Sequence, residues 1–193
     1  MVSPGDVIHI YEQLTSHNIQ VWLTGGWGID ALLGEQTRLH KDLDVLMLVD
    51  NVSYLCELLA QEGYQLKELW SENLWTTDKA GDRIATAFVL RDQDGHELDA
   101  HAMRLDEQGN AVPAWEVQAG FVLTLQDLSG VGTVAGVAVR CQSAESQLVC
   151  HAGYQLPDYQ WDDLNRLAEK FGIEIPAEIT QQTSEASSRV SCG

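Results

Sequence analysis

Positive charge is scarce in this chain: 11 Lys and Arg stand against 29 Asp and Glu, a formal net charge of −18 over 193 residues. Such a field repels phosphate before contact, which argues against a nucleic-acid partner. It favours a cationic small molecule, and much of it also serves solubility. Cysteine is sparse too. Cys56, Cys141, Cys150 and Cys192 lie far apart with no Cys-x-x-Cys, which argues against a zinc centre and against a disulfide framework. Buried free thiols in a reducing cytosol are expected instead. No basic stretch leading into an apolar one opens the chain, and no run of about 18 apolar residues occurs in it. A soluble, cytoplasmic protein without a membrane partner is expected.

What is present is enough apolar residue, 45% of the chain, to bury a real core. Residues 5–18 place Val7, Ile8, Ile10, Tyr11 and Leu14 at helical spacing. Residues 19–26 read as a buried strand ending on Gly25 and Gly26, and 27–35 as a helix stopped near Gly34. Residues 42–50 read as a strand covered on both faces. A helix follows, with Asn51 or Ser53 as its cap and Gly63 as its stop. From Tyr64 the rhythm is that of strands: 64–70, 73–79, 83–92 and 96–103, the last two joined by a Gln-Asp-Gly turn. After Met103 the signals thin. Residues 130–141 form a glycine-punctuated strand or hairpin, and Ser143 caps a short helix with half a capping box. Residues 158–173 carry Trp161, Leu164, Leu167, Ala168 and Phe171 on one helical stripe. The expectation is an α+β fold with a mixed β-sheet packed against helices: a core over 1–105, a small C-terminal lobe over 106–175 that packs on it and helps bind substrate, and a polar, flexible tail over 176–193.

The stretch "LTGGWGIDALLGEQTRLHKDLDVLML", Leu23 to Leu48, breaks the pattern of an ordinary core. In a strand Asp42 and Asp44 project from one face, and carboxylates that close repel unless a cation or protons lie between them. Mg²⁺, a hard ion that accepts oxygen ligands and keeps positions open for substrate phosphate, resolves the conflict. Asp99, a charge inside an otherwise apolar strand, is the candidate third carboxylate. A Gly-Gly step entering a helix lets backbone N–H groups approach a phosphate, and Arg38, His40 and Lys41 supply local positive charge. Taken singly, each feature has a plainer reading. Asp-x-Asp marks turns and strand edges, Arg38 and Lys41 are solvated surface, and His101 is a satisfied histidine. Asp30 is a first-turn acid, and Trp22, Trp27, Trp70 and Trp75 are packing. The ordered conjunction is more specific than its parts.

That conjunction resembles the polymerase-β-like nucleotidyltransferase superfamily. More narrowly, Gly25, Gly26, Trp27 and Asp30, followed by Arg38, His40, Asp42 and Asp44, are similar to the antibiotic nucleotidyltransferases of the lincosamide and aminoglycoside 2″ types. The strand around Asp99 and His101 and the segment 136–167 extend the likeness to roughly residues 5–173. The resemblance implies a nucleotidyltransferase fold. It also implies transfer of a nucleoside monophosphate, AMP, from ATP or another NTP to a hydroxyl of a small antibiotic, with release of pyrophosphate. One or two Mg²⁺ would sit on Asp42, Asp44 and Asp99, with Asp99 as metal ligand, general base or both. Gly25, Gly26, Arg38 and His40 would hold phosphates, and Trp27, Asp30, Lys41 and His101 are further site candidates. A homodimer is an expectation by the same analogy. The alternatives from other classes are an antitoxin or regulatory module of this fold acting on a protein partner, and a degenerate binding protein.

Overall fold

The computed structural model describes residues 1–117, 120–151, 155–176 and 179. Helix α1 (Pro4–Ser16) starts one residue earlier than its periodicity suggests. The Ser3 hydroxyl accepts from the Asp6 N–H while the Asp6 carboxylate accepts from the Ser3 N–H, a reciprocal cap that the spacing of apolar residues does not reveal. Strand β1 (Val21–Thr24) runs directly into α2 (Gly25–Leu33). The two glycines therefore form the first turn of the helix and are not a loop before it. Gly34 closes α2 in the left-handed conformation, as expected of a glycine stop.

Strand β2 (Asp42–Leu48) is followed by a 3₁₀ turn at Val49–Asn51 and then α3 (Val52–Gln61). Asn51 occupies the cap position without a side-chain bond, and the Ser53 hydroxyl donates across to Asp78 at 2.6 Å. Strand β3 (Gln65–Leu69) and the short strands β4 (Trp75–Thr77) and β5 (Arg83–Ala85) come next. The single strand expected over 83–92 is two, β5 and β6 (Ala87–Arg91). The break falls at Thr86. Its N–H donates to Asn73 at 2.8 Å, its hydroxyl donates to the Leu74 carbonyl at 2.7 Å, and its carbonyl accepts from Ala102. Those bonds turn the chain out of the small β4–β5 ribbon and into the main sheet.

The hairpin from β6 to β7 (Glu97–Leu105) forms where the Gln-Asp-Gly turn places it, with Arg91 opposite Glu97. Strand β8 (Ala111–Pro113), which the sequence did not signal, pairs with β7. The hairpin β9 (Gly130–Val134) and β10 (Val137–Cys141) joins the sheet through β1. The strands lie in the order β3-β6-β7-β2-β1-β10-β9, with β8 beside β7. Helix α4 (Ala144–Cys150) begins at Ser143, whose hydroxyl accepts from the Ser146 N–H, and α5 (Asp158–Phe171) follows. Residues 106–175, the expected lobe, thus supply β8, β9 and β10 to one mixed eight-stranded sheet, and α5 packs on α2. Of the expected tail, Pro176 and Ile179 are described, and Ile179 is fully buried in the main core.

Alternation along the strands makes two faces. Leu43, Val45 and Met47 of β2, with Leu98, Ala100 and Ala102 of β7, pack under α1, α2 and α3 in the larger apolar cluster. Leu46 and Met103 point the other way, where Trp22, Ala111, Leu123 and Leu128 form a second cluster. That second cluster covers one end of the face. The other end carries Asp42, Asp44 and Asp99. Among the described residues no helix is long and apolar enough to cross a membrane.

Candidate active site

Because β2 and β7 are parallel neighbours, their register brings distant residues together. Asp44 lies directly opposite Asp99, and Asp42 opposite Glu97. Cross-strand partners share a face, so four carboxylates, Asp42, Asp44, Glu97 and Asp99, gather there from two strands. Burial pushes the Asp44 carboxyl well above the usual range, and repulsion from Asp42 and Asp99 pushes it further, while Arg38 and Lys41 pull the other way. Asp42 is raised as well, by burial first and then by Asp99 and Glu97, with Lys41 opposing.

Gly25 sits at φ 56°, and a Cβ there would lie 2.8 Å from the Asp44 Cγ. Glycine is required twice over, by the backbone angle and by the carboxylate seated against it. At Gly26 a Cβ would come within 2.6 Å of the His40 Cε1 and 2.9 Å of the Arg38 Nη2. The guanidinium and the imidazole therefore lie over the first turn of α2, beside Asp44.

Each of those two side chains is held from behind by an acid. His40, 2% exposed, bonds through Nε2 to Asp30 at 2.5 Å, and its ring lies tilted against Trp27 with centroids 4.8 Å apart. Asp30, equally buried, also accepts from the Thr37 N–H at 3.1 Å and from the Thr37 hydroxyl at 2.6 Å. Arg38 donates through Nε to Asp163 of α5 at 2.8 Å, and its guanidinium lies 4.6 Å from the Tyr159 ring centroid. Burial raises the Asp163 carboxyl and the Arg38 charge opposes that rise. Trp27 and Asp30, both on α2, thus stand behind His40, and His40 itself is enclosed.

Lys41 is exposed and reaches Glu97 at 2.9 Å and Asp42 at 3.9 Å. Glu97 is buried and also takes Lys67 at 2.8 Å. Although burial pushes the Glu97 carboxyl up, these lysines hold it below the usual carboxylate range. The Glu97 bond, ahead of any other influence, raises the Lys41 ammonium.

Asp99 is tied on its far side. The Trp70 indole N–H donates to both of its oxygens, at 2.9 and 3.0 Å. His101 Nδ1 lies 3.3 Å from Asp99 Oδ1, its Nε2 lies 3.5 Å from Glu72, and its ring meets Trp115 edge-on at 4.9 Å.

The structure brings Asp42, Asp44, Asp99 and His101 onto one face, with Gly25, Gly26 and Arg38 at its edge. Sequence reasoning missed Trp70 and Glu72 on one side, and Asp163 with Tyr159 on the other. A spacing of four between Tyr159 and Asp163, beside an apolar stripe, was the available signal that one helical face carries both.

Comparison with known proteins places the chain. The lincosamide resistance protein of Staphylococcus haemolyticus is 24% identical over 166 residues, 86% of this chain and 94% of that protein. The crystal structure of the lincosamide antibiotic adenylyltransferase LnuA, lincomycin-bound, superposes with a TM-score of 0.69 at 24% identity, covering 86% of this chain and 96% of that one. The structure of ANT(2″)-Ia in complex with adenylyl-2″-tobramycin gives 0.65 at 22% identity, covering 95% and 97%. The fold is that of the nucleotidyltransferases. The aminoglycoside-2″-adenylyltransferase family model matches residues 6–167, most of the chain, and the protein belongs to that family.

Proposed function

We propose that this protein transfers a nucleoside monophosphate, AMP, from an NTP to a hydroxyl of a small antibiotic, with Mg²⁺ bound and pyrophosphate released. The observation that carries this reading is the register of β2 on β7, which sets Asp44 opposite Asp99 and next to Gly25. Lincosamides come first among acceptors, since in sequence the lincosamide resistance protein matches 86% of this chain against 75% for the 2″-aminoglycoside nucleotidyltransferase, and the LnuA structure gives the higher TM-score of the two, 0.69 against 0.65. Aminoglycosides come second.

The residues fit a divalent ion of the open kind. Among the described residues no group of three or more His, Cys, Asp or Glu side chains is arranged to hold a metal ion. Mg²⁺ needs none: one or two carboxylates suffice, with water and substrate phosphate filling the remaining positions. Asp42 and Asp44 are hard oxygen donors whose mutual repulsion a cation relieves. When bound, the ion would neutralise charge on the reacting phosphate and favour ionisation of the acceptor hydroxyl.

The protein's own groups do the rest. The first turn of α2 offers backbone N–H groups to the triphosphate, and Arg38, aimed over Gly26 by Asp163, adds a fixed positive charge there. His40 acts from within, keeping that turn and Asp30 in place. Asp99, across from Asp44, receives the proton of the acceptor hydroxyl. His101, Glu72 and Trp115 border the approach to Asp99, an acidic and aromatic wall suited to a hydroxylated amine.

Incubation with Mg²⁺, each of the four NTPs and a panel of lincosamides and aminoglycosides tests the proposal. Pyrophosphate should appear only with a cognate antibiotic, whose mass rises by one nucleotide. Labelling of added proteins alone would point to the regulatory-module reading instead, and no transfer at all would refute both.

A further inference from the structure

Trp70 has the sequence appearance of a packing residue, but it does not pack as one. Among the described residues it belongs to neither apolar cluster, and it is half-buried beyond the end of β3. Its indole N–H, a donor with no acceptor role, goes to both oxygens of Asp99. We infer that Trp70 is the positioning residue of Asp99: a three-centre bond from the indole, with His101 at its side, sets which carboxylate oxygen works in the nucleotidyl transfer. This rests on the function proposed above and assigns part of its machinery.

The indole can serve this way because its backbone is anchored independently of the site. The Trp70 N–H donates to the Ala87 carbonyl at 3.1 Å, and the Trp70 carbonyl accepts from Asn73 at 3.0 Å. Asn73 in turn accepts from the N–H groups of Thr86 and Ala87 at 2.8 and 3.2 Å, and Thr86 is fully buried. These bonds tie the turn after β3 to the start of β6. Strand β6 pairs with β7 so that Ala87 faces His101 and Val89 faces Asp99. The indole reaches over a small residue, Ala87, onto the carboxylate two strands away.

A carboxylate offers about four lone-pair positions. Oδ1 of Asp99 has Trp70 at 2.9 Å and His101 Nδ1 at 3.3 Å, whereas among the described residues Oδ2 has Trp70 alone at 3.0 Å. Oδ1 is the anchored oxygen. Oδ2 keeps the larger share of its capacity, and it is the oxygen left to meet the metal or the acceptor hydroxyl. Rotation of the carboxylate would break both indole bonds, so the pair is held in one orientation before substrate arrives.

Trp70→Phe keeps a ring and removes the donor. In the full-length protein, kcat should fall about 10- to 100-fold, the scale seen when an outer partner of a metal-site ligand is lost. KM for antibiotic and nucleotide should stay within about threefold, because only transition-state interactions are disturbed. A second measurement needs neither substrate nor metal. The indole N–H resonance lost in Trp70→Phe should move in Asp99→Asn and hold still in Asp163→Asn. A kcat within about twofold of wild type, or an indole resonance indifferent to Asp99→Asn, overturns the inference. If wild type transfers no nucleotide under any condition, the proposed function fails, while the resonance still decides whether Trp70 holds Asp99. Should Trp70→Phe not fold, Asp99→Asn remains decisive, since it alters the acceptor and leaves the indole in place.

Discussion

Asp44 is costly where it stands. An acid whose pKa is higher folded than unfolded binds more protons in the folded chain between those two values. Stability of the apoprotein therefore rises as pH falls through that window and is weakest once Asp44 and Asp42 are both ionised. Asp44→Asn should raise the Tm of the metal-free protein at neutral pH by about 2–4 °C for each kcal/mol of relieved repulsion. It should also lower transfer by about 10³-fold or more, a loss of some 4 kcal/mol in the barrier. Calorimetry and steady-state kinetics on one preparation check both, and a variant less stable yet still active would contradict the assignment. Mg²⁺ should raise the wild-type Tm and leave Asp44→Asn nearly unmoved. Gly25→Ala tests the same contact from the other side. A side chain at φ 56° carries roughly 1–2 kcal/mol of backbone strain, and its Cβ displaces the Asp44 carboxylate. Lost activity together with a lower Tm is the expected pair of outcomes. The Cys141 thiol is pushed by burial up to about 12, and that of Cys56 to about 11, so both should resist a disulfide reagent at pH 8 until the protein unfolds.

At the scale of elements, α5 matters through one turn. Its apolar stripe is legible in the sequence, and Leu164 and Leu167 are indeed fully buried, although Phe171 ends exposed. Asp163 is the residue the stripe conceals. It sits beside those leucines, 3% exposed, because Arg38 arrives from a segment more than a hundred residues earlier. Removing one partner strands the other, so Arg38→Ala should cost at most about 3 kcal/mol of stability, reduced because the guanidinium is partly exposed. Asp163→Asn should leave the fold closer to wild type and weaken nucleotide use, raising KM for NTP. A double-mutant cycle on KM for NTP should show strong non-additivity, and additive effects would mean that Asp163 does not act through Arg38. Helix α2 teaches the complementary lesson. The Gly-Gly step was legible as a special turn, but its placement inside the helix, under His40 and Arg38, depended on what packs above it.

Across the whole molecule the charge of −18 acts at a distance. It should draw in a polycationic aminoglycoside and do little for a lincosamide bearing a single amine, so KM for the former should climb with ionic strength while KM for the latter stays nearly flat. Salt titrations of both would show it, and equal slopes would mean that the acidic surface does not focus on the cleft. The residues proposed to carry the chemistry, Gly25, Gly26, Asp42, Asp44 and Asp99, were readable as candidates because their types and placement are what the proposed chemistry requires. The hairpin from β6 to β7 was readable for a similar reason, since a turn's backbone demands are local. Which groups steady those residues was not. Trp70 on Asp99, Asp163 on Arg38 and Asp30 on His40 are pairs whose energy depends on burial and distance, and both are set by strand order and helix packing. Local rules act through neighbours along the chain, whereas a buried hydrogen bond is decided by whichever distant segment the fold brings within 3 Å.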